Sequence, residues 1–261
     1  MQSVPQAVPL PQAFLAAPIA HRGLHDLAAN RPENSLSAFL AAVQGGYGIE
    51  LDVQRSADGV AMVFHDGDLD RVSTGIGPLA AKTAVDLTGI RLKGSGEAIP
   101  TLAQVLEQVR GRVPVLIEIK EGLATMAATP GILEAAVAAT LAGYSGPVAV
   151  MSFNPHCLAH LAHLAPEVPR GLTTGAYRPE DYARLAAETC NHLRDIPDYT
   201  PTSSSFISHE AADLNRPRVA ALKAQGATIL CWTIRSPAAE AKARRFADNI
   251  TFEGYRAKLT Q

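Results

Sequence analysis

The chain is poor in cysteine: its 261 residues include only Cys157, Cys190 and Cys231. An odd number of thiols, widely spaced in apolar segments, does not make a disulfide framework, so reduced core thiols and a reducing compartment are expected. Neither sign of charge is in excess, with 23 Lys and Arg against 25 Asp and Glu for a net −2. That balance gives no support for nucleic-acid or anionic-membrane binding driven by overall charge, and any anion site has to be local. Residues 1–17 are apolar and dotted with proline but lack a basic leader and a continuous hydrophobic core. They read neither as a secretory signal nor as a transmembrane helix, which gives the expectation of a cytoplasmic protein without stable membrane insertion. Internal repeats, low-complexity tracts and a proline-rich linker are also missing, so one domain over 1–261 is expected.

What is there is an alternation of short β-branched runs with alanine-rich helical stretches, the pattern of βα units around a parallel sheet. Strands are expected at 18–21, 48–53, 60–65, 114–119, 147–152, 169–173, 205–208, 228–234 and 249–252. Helical periodicity covers 35–45, 101–110, 131–142, 155–165, 179–190, 216–225 and 237–247, with Ser35 and Thr101 as N-caps. Nine strands are one too many for a (β/α)8 barrel. The surplus lies at Asp58-Gly59, a hairpin signal between VQRS and VAMVFH with no room for a crossover helix. The run 60–65 should therefore fold back antiparallel and bring His65 roughly level with Asp52, leaving eight parallel strands. In such a barrel the active site lies where the βα loops leave the strand ends.

Chemistry-bearing residues collect at those ends. Glu50 and Asp52, two apart on one strand, share a face, and Glu118 stands in the strongly apolar run VPVLIEIK, where a lone carboxylate would suffer a large desolvation cost. Each alone would read as half of a structural salt bridge. Together, with few cations in the same strands, they favour an oxygen-ligand site for Mg2+ or Ca2+ over Zn2+. His21 and His65 each follow an apolar run and precede a loop. One buried histidine would be unremarkable, but two beside carboxylates suit acid and base roles, imidazole having an ordinary pKa of about 6.5. Arg22 and Lys120, at the same strand ends, suit an anionic oxygen, the alternative being surface pairs with Glu33 or Glu121. Gly23 permits close backbone approach, as does any turn glycine.

The ordered set HRG, PENS, ELD, HD and EIK resembles the glycerophosphodiester phosphodiesterase family, and Met151-Ser152-Phe153 and Cys231-Trp232-Thr233 resemble two further strand ends of that family. The resemblance runs from about Pro18 to Glu253. It implies a TIM-like barrel with a small insertion after the second strand, here about 66–100, shaping the site entrance or acting as a stabilising cap. It further implies metal ligands at Glu50, Asp52 and Glu118, with Glu33 as a candidate additional one, an acid/base pair at His21 and His65, and phosphate contacts at Arg22 and Lys120. The activity implied is metal-dependent hydrolysis of a small-molecule glycerophosphodiester to sn-glycerol 3-phosphate and an alcohol, within glycerol and lipid metabolism. Two alternatives are a lysophospholipase D-like activity, signalled by an exposed apolar lid at 66–100, and a catalytically silent phosphodiester-binding barrel. Trp232, the only tryptophan, is a candidate substrate contact. His209 and Glu210 read either as contacts to the glycerol or leaving alcohol or as a solvated pair at a helix start. The chain departs from the family at its last strand, where Ile250-Thr251-Phe252-Glu253 stands in place of a Thr-Asp ending.

Overall fold

The computed structural model describes residues 6–259, so the outermost residues of the 1–17 reading and of the 1–261 span lie outside the described residues. The strands are β1 (Ile19–Ala20), β2 (Gly48–Arg55), β3 (Ala61–Val63), β4 (Val115–Ile119), β5 (Val148–Ser152), β6 (Arg170–Thr174), β7 (Phe206–Glu210), β8 (Thr228–Ile234) and β9 (Asn249–Phe252). Eight of them are parallel neighbours in the order β1-β9-β8-β7-β6-β5-β4-β2, and a β1–β2 pairing closes the ring. The ninth, β3, is antiparallel to β2 and hangs outside the barrel, with Val53 opposite Val63. The protein is a closed (β/α)8 barrel, and the sheet has no open edge within the ring.

The helices are α1 (Ala13–Ala16), α2 (Leu36–Gln44), α3 (Ala84–Gly89), α4 (Leu102–Val109), α5 (Ile132–Leu141), α6 (Pro155–Leu164), α7 (Ala187–Asp195), α8 (Pro217–Ala224) and α9 (Pro237–Ala243). Ser35 caps α2 through the Ala38 amide, and Thr101 caps α4 in a reciprocal box with Gln104. The helix expected over 179–190 instead starts at Ala187. Residues 178–186 form turns in which Tyr182 and Leu185 pack with Tyr177, Cys190 and Leu193 in a cluster of their own, so tertiary packing overrides the local periodicity. Among the described residues no helix is long and apolar enough to cross a membrane.

Period-two alternation divides the barrel wall. Ile49, Leu51 and Val53 join the main core beneath the helices, whereas Glu50 and Asp52 point inward. At the end opposite the site, Phe14 of α1 packs with Ile19, Leu116, Ala149, Met151, Phe206 and Leu230 and plugs the interior. Asn249 ties that plug down, its amide donating to the carbonyls of Phe14 at 2.6 Å and Ala17 at 2.7 Å. The insertion after the hairpin holds α3 and a satellite core of Met62, Phe64, Leu69, Leu79, Leu87, Leu92 and Ile99.

Candidate functional site

Four strands bring the carboxylates, cations and histidines to one mouth. Asp52 and Glu118 are register partners on β2 and β4, so their side chains emerge side by side. With Glu50 they form a buried triad whose ligand oxygens all lie within 4.8 Å of one another. Burial pushes the Glu50 carboxyl up, and the neighbouring Asp52 and Glu118 push it further. Burial would also raise Asp52, but Lys120, His65, Arg22 and His21 hold it well below the usual range. Lys120 Nζ stands 3.0 Å from Glu118 and 3.4 Å from Asp52. Burial opposes its charge, and those carboxylates raise its pKa above the ordinary value. Three buried carboxylates converging on one point outnumber the Lys120 and Arg22 charges beside them, and such an all-oxygen donor set fits a hard divalent cation.

A tight turn directly after β1 makes this convergence possible. Arg22 adopts φ +54 and Gly23 φ +79, and a Cβ on Gly23 would come within 3.0 Å of Ala38. Only glycine fits there without a shift. The Arg22 amide then donates to Glu50 at 2.9 Å, and its guanidinium pairs with Glu33 at 2.8 Å and faces Asp52 at 3.5 Å. Its buried Nε has no hydrogen-bond partner among the described residues. Arg22 lines the cavity, and a guanidinium there with a donor that makes no hydrogen bond suits an anionic oxygen. Glu33 stands outside the triad, its carboxylate accepting from Arg22 and from Arg71 of the insertion.

Each histidine is backed by a carboxylate. His21 Nδ1 lies 2.5 Å from Glu253 Oε2, and its Nε2 is 3.9 Å from Glu50. His65 Nδ1 lies 2.7 Å from Asp66 Oδ1. A carboxylate only accepts, so in both rings Nδ1 carries a proton and Nε2 is left for the cavity. Burial lowers the His65 pKa, with Lys120 and Arg22 adding to the effect and Asp52 and Asp66 opposing it. Glu253 resists burial, held well below the ordinary range by His21, His25 and Arg235.

These groups enclose a cavity of about 220 Å3 lined by His21, Arg22, Glu50, Asp52, His65, Glu118 and Lys120. Its other wall is Met151, Phe153, Trp232, Thr233, Arg235 and Thr251. Trp232 packs edge-on against Phe153 with centroids 5.5 Å apart and donates its indole N–H to the Ser208 carbonyl at 3.0 Å, an apolar face beside a satisfied polar edge. A larger cavity of about 410 Å3 lies beyond Glu253, but it lacks the triad and both paired histidines, so size is not the guide here. His209 is not a solvated partner of Glu210. It is fully buried, bonded to Thr174 at 2.8 Å and facing Asp213 at 3.3 Å, while Glu210 accepts from the Ala176 amide and Arg178. Neither lines the mouth.

Four supporting residues carry roles that the sequence alone does not assign. Asn34, at φ +56, donates to Asp52 at 2.9 Å and accepts from its amide. Gln54 reaches out of β2 to the carbonyls of Phe64, His65 and Asp66 and fixes the end of the hairpin. Glu253 and Asp66 hold the rings. Asn34 and Asp66 are legible as members of PENS and FHD, and Glu253 as the end of the last strand, whereas Gln54 carries no sequence signal beyond lying on β2.

Comparison with known proteins gives the family and the fold. The family model for the glycerophosphoryl diester phosphodiesterase family matches residues 21–250. A glycerophosphodiester phosphodiesterase of Caldanaerobacter subterraneus subsp. tengcongensis is 37% identical over 163 residues, 59% of this chain and 65% of that relative, so the match spans less than two thirds of its length. A putative glycerophosphodiester phosphodiesterase of Bacillus subtilis is 28% identical over 86% of this chain and 88% of its own. An Oleispira antarctica phosphodiesterase, solved in complex with the product sn-glycerol-3-phosphate, superposes with a TM-score of 0.73 at 26% identity, covering 92% of this chain and 94% of that one. A glycerophosphodiester phosphodiesterase from Agrobacterium tumefaciens gives a TM-score of 0.66 at 27% identity, covering 91% and 96%.

Proposed function

The chain belongs to the glycerophosphoryl diester phosphodiesterase family, and from that premise we propose that it hydrolyses glycerophosphodiesters to sn-glycerol 3-phosphate and an alcohol. The observation that carries the reading is the pair of carboxylate-backed histidines across a cavity that also holds Arg22, Lys120 and the acidic triad. Glu50, Asp52 and Glu118 would hold one divalent cation, Mg2+ or Ca2+, which when bound supplies positive charge against the nonbridging phosphoryl oxygens.

The chain's own residues account for the rest. Arg22 and Lys120 bind the phosphodiester and balance the charge that grows on it as the attacking oxygen arrives. One of His21 and His65 takes the proton from that oxygen through Nε2, and the other gives a proton to the departing alkoxide, so the site ends with the same number of protons. Glu253 and Asp66 keep both rings turned with Nε2 toward the substrate. Phe153 and Trp232 offer apolar faces to the carbon skeleton.

The small cavity, lined mostly by charged and polar groups, supports small water-soluble diesters as substrates. Leu69, Leu79, Leu87 and Leu92 of the insertion are buried in the satellite core while Ile76 and Val85 stand exposed, so a lysophospholipid belongs in the assay beside glycerophosphocholine. The test is release of sn-glycerol 3-phosphate from glycerophosphocholine by purified protein with Mg2+ or Ca2+. EDTA should stop it and added cation restore it. His21→Ala and His65→Ala should each lose about 10²-fold or more in kcat. Turnover that survives both substitutions would overturn the acid/base assignment.

A further inference from the structure

Arg71 is the one insertion residue whose side chain binds carboxylates that back the proposed machinery, among the described residues. Its Nε and Nη2 donate to the two oxygens of Asp66 at 2.6 and 2.9 Å, and its Nη1 and Nη2 donate to the two oxygens of Glu33 at 2.9 and 2.8 Å. Both carboxylates are already engaged on their other sides, Asp66 with His65 Nδ1 at 2.7 Å and Glu33 with Arg22 Nη1 at 2.8 Å. A planar fork can hold two carboxylates in fixed relation in a way that a point charge cannot. The backbone that presents it is itself held, because Lys93 donates to the carbonyls of Asp70 and Arg71, and Ser73 closes a turn onto Leu69 of the satellite core.

The side chain of Arg71 is 49% exposed. Exposed ion pairs contribute little to folding stability, so a four-bond clamp at this position is better explained by what it orients. Removing it would leave two carboxylates facing each other, free to turn away from His65 and Arg22. A displacement of about 1 Å in a reacting group is enough to cost about 10²-fold in rate.

We propose that Arg71 is a positioning residue that sets His65 and Arg22 together through Asp66 and Glu33, and that by this guanidinium the insertion takes part in the reaction instead of merely covering the barrel. The inference rests on the glycerophosphodiesterase reading for its kinetic test. A structural readout keeps the two separable.

In Arg71→Ala, kcat on glycerophosphocholine should fall about 10²-fold, with a single cooperative melting transition retained. Arg71→Lys, which can reach one carboxylate but not grip both, should fall about tenfold. Methylguanidinium added to Arg71→Ala should recover part of the loss, which it would not do for a general folding defect. In an Asp66→Asn/Glu33→Gln background, adding Arg71→Ala should change kcat by less than about threefold, because the two routes are already cut. Independently of substrate, the His65 Nδ1–H resonance of the wild-type protein should broaden or vanish in Arg71→Ala. Wild-type protein inactive on glycerophosphodiesters but showing that spectral change would sink the activity reading and leave the positioning role standing. Active wild type with Arg71→Ala within twofold of it and an unaltered resonance would overturn the role, as would a loss that persists undiminished in the doubly substituted background. If Arg71→Ala does not fold, Arg71→Lys and Arg71→Gln carry the same comparison.

Discussion

Glu253 sits at a position where side-chain chemistry can be separated from shape. Its Oε2 accepts from His21 Nδ1 at 2.5 Å, and its Oε1 takes Arg235 at 2.7 Å. Glu253→Gln keeps the length but can present an amide N–H to the ring, favouring the tautomer that leaves Nε2 protonated. We expect kcat to fall by about 10²-fold or more while KM changes little, since substrate contacts are untouched. A loss confined to KM would count against an orienting role. Asp66 allows a pH test of its pairing. Burial opposes its ionisation, yet hydrogen bonds from Arg71 and His65 bring it down to about 2 from an ordinary 3.8. A carboxylate depressed in the folded state contributes stability that is present above its unfolded pKa and lost as the pH falls through its folded one. Asp66→Asn should therefore be less stable than wild type near neutral pH, with the gap closing between about pH 4 and pH 2 in urea titrations. A gap that stays constant over that window would mean the pairing is not formed in solution. At this scale Glu50, Asp52 and Glu118 are legible in sequence because strand alternation and the cost of a bare buried carboxylate both point to them. The role of Glu253 is not, since its contact with His21 depends on how β9 lies beside β1, a register that no local pattern encodes.

Elements are legible where a local interaction decides them. The Asp58-Gly59 turn is closed by a Ser56 carbonyl to Gly59 amide bond, with Gly59 at φ +86, and Asp58 accepts from the Ser56 hydroxyl and the Ala84 amide. The hairpin register puts Phe64 opposite Asp52, joined by a 3.0 Å amide-to-carbonyl bond, so His65 emerges one residue beyond level and still faces the site. Thr101 shows the same locality, with both halves of its capping box formed. Thr101→Ala should cost about 1 kcal/mol by urea unfolding, with kcat unaffected, because α4 lies on the outer wall. A loss under about 0.3 kcal/mol would mean the helix start is held by packing instead. The segment 178–186 shows the opposite case. Its residues have helical spacing, but Tyr182 and Leu185 are drawn into a cluster with Tyr177 and Leu193 that only the folded chain assembles. The short α3 escapes notice for a related reason, being six residues inside the insertion and steadied by the Thr83–Asp86 box and the satellite core.

The whole molecule is a polar mouth on an apolar floor, and one side chain connects the two: Met151 belongs to the cluster around Phe14 and also lines the cavity. Phe14, fully buried, closes the far end of the barrel from a helix of four residues that could not persist alone. Packing must therefore hold that helix, and the barrel depends on it in return. Phe14→Ala should lower stability by about 3–5 kcal/mol, the range for emptying an aromatic site in a core that cannot collapse into the space. The insertion shares Met62 and Phe64 with the hairpin, so its satellite core is not separable from β2, and we propose that the chain unfolds as one unit. The single tryptophan makes this measurable. Trp232 reports from the mouth, whereas far-ultraviolet circular dichroism reports from every helix and strand. In Phe14→Ala both signals should move to lower urea together and remain superimposable, although the lost side chain is at the opposite end from the tryptophan. If the fluorescence transition stayed at its wild-type midpoint while the dichroism shifted, the floor and the mouth would be separate cooperative units and the single-domain proposal would fall.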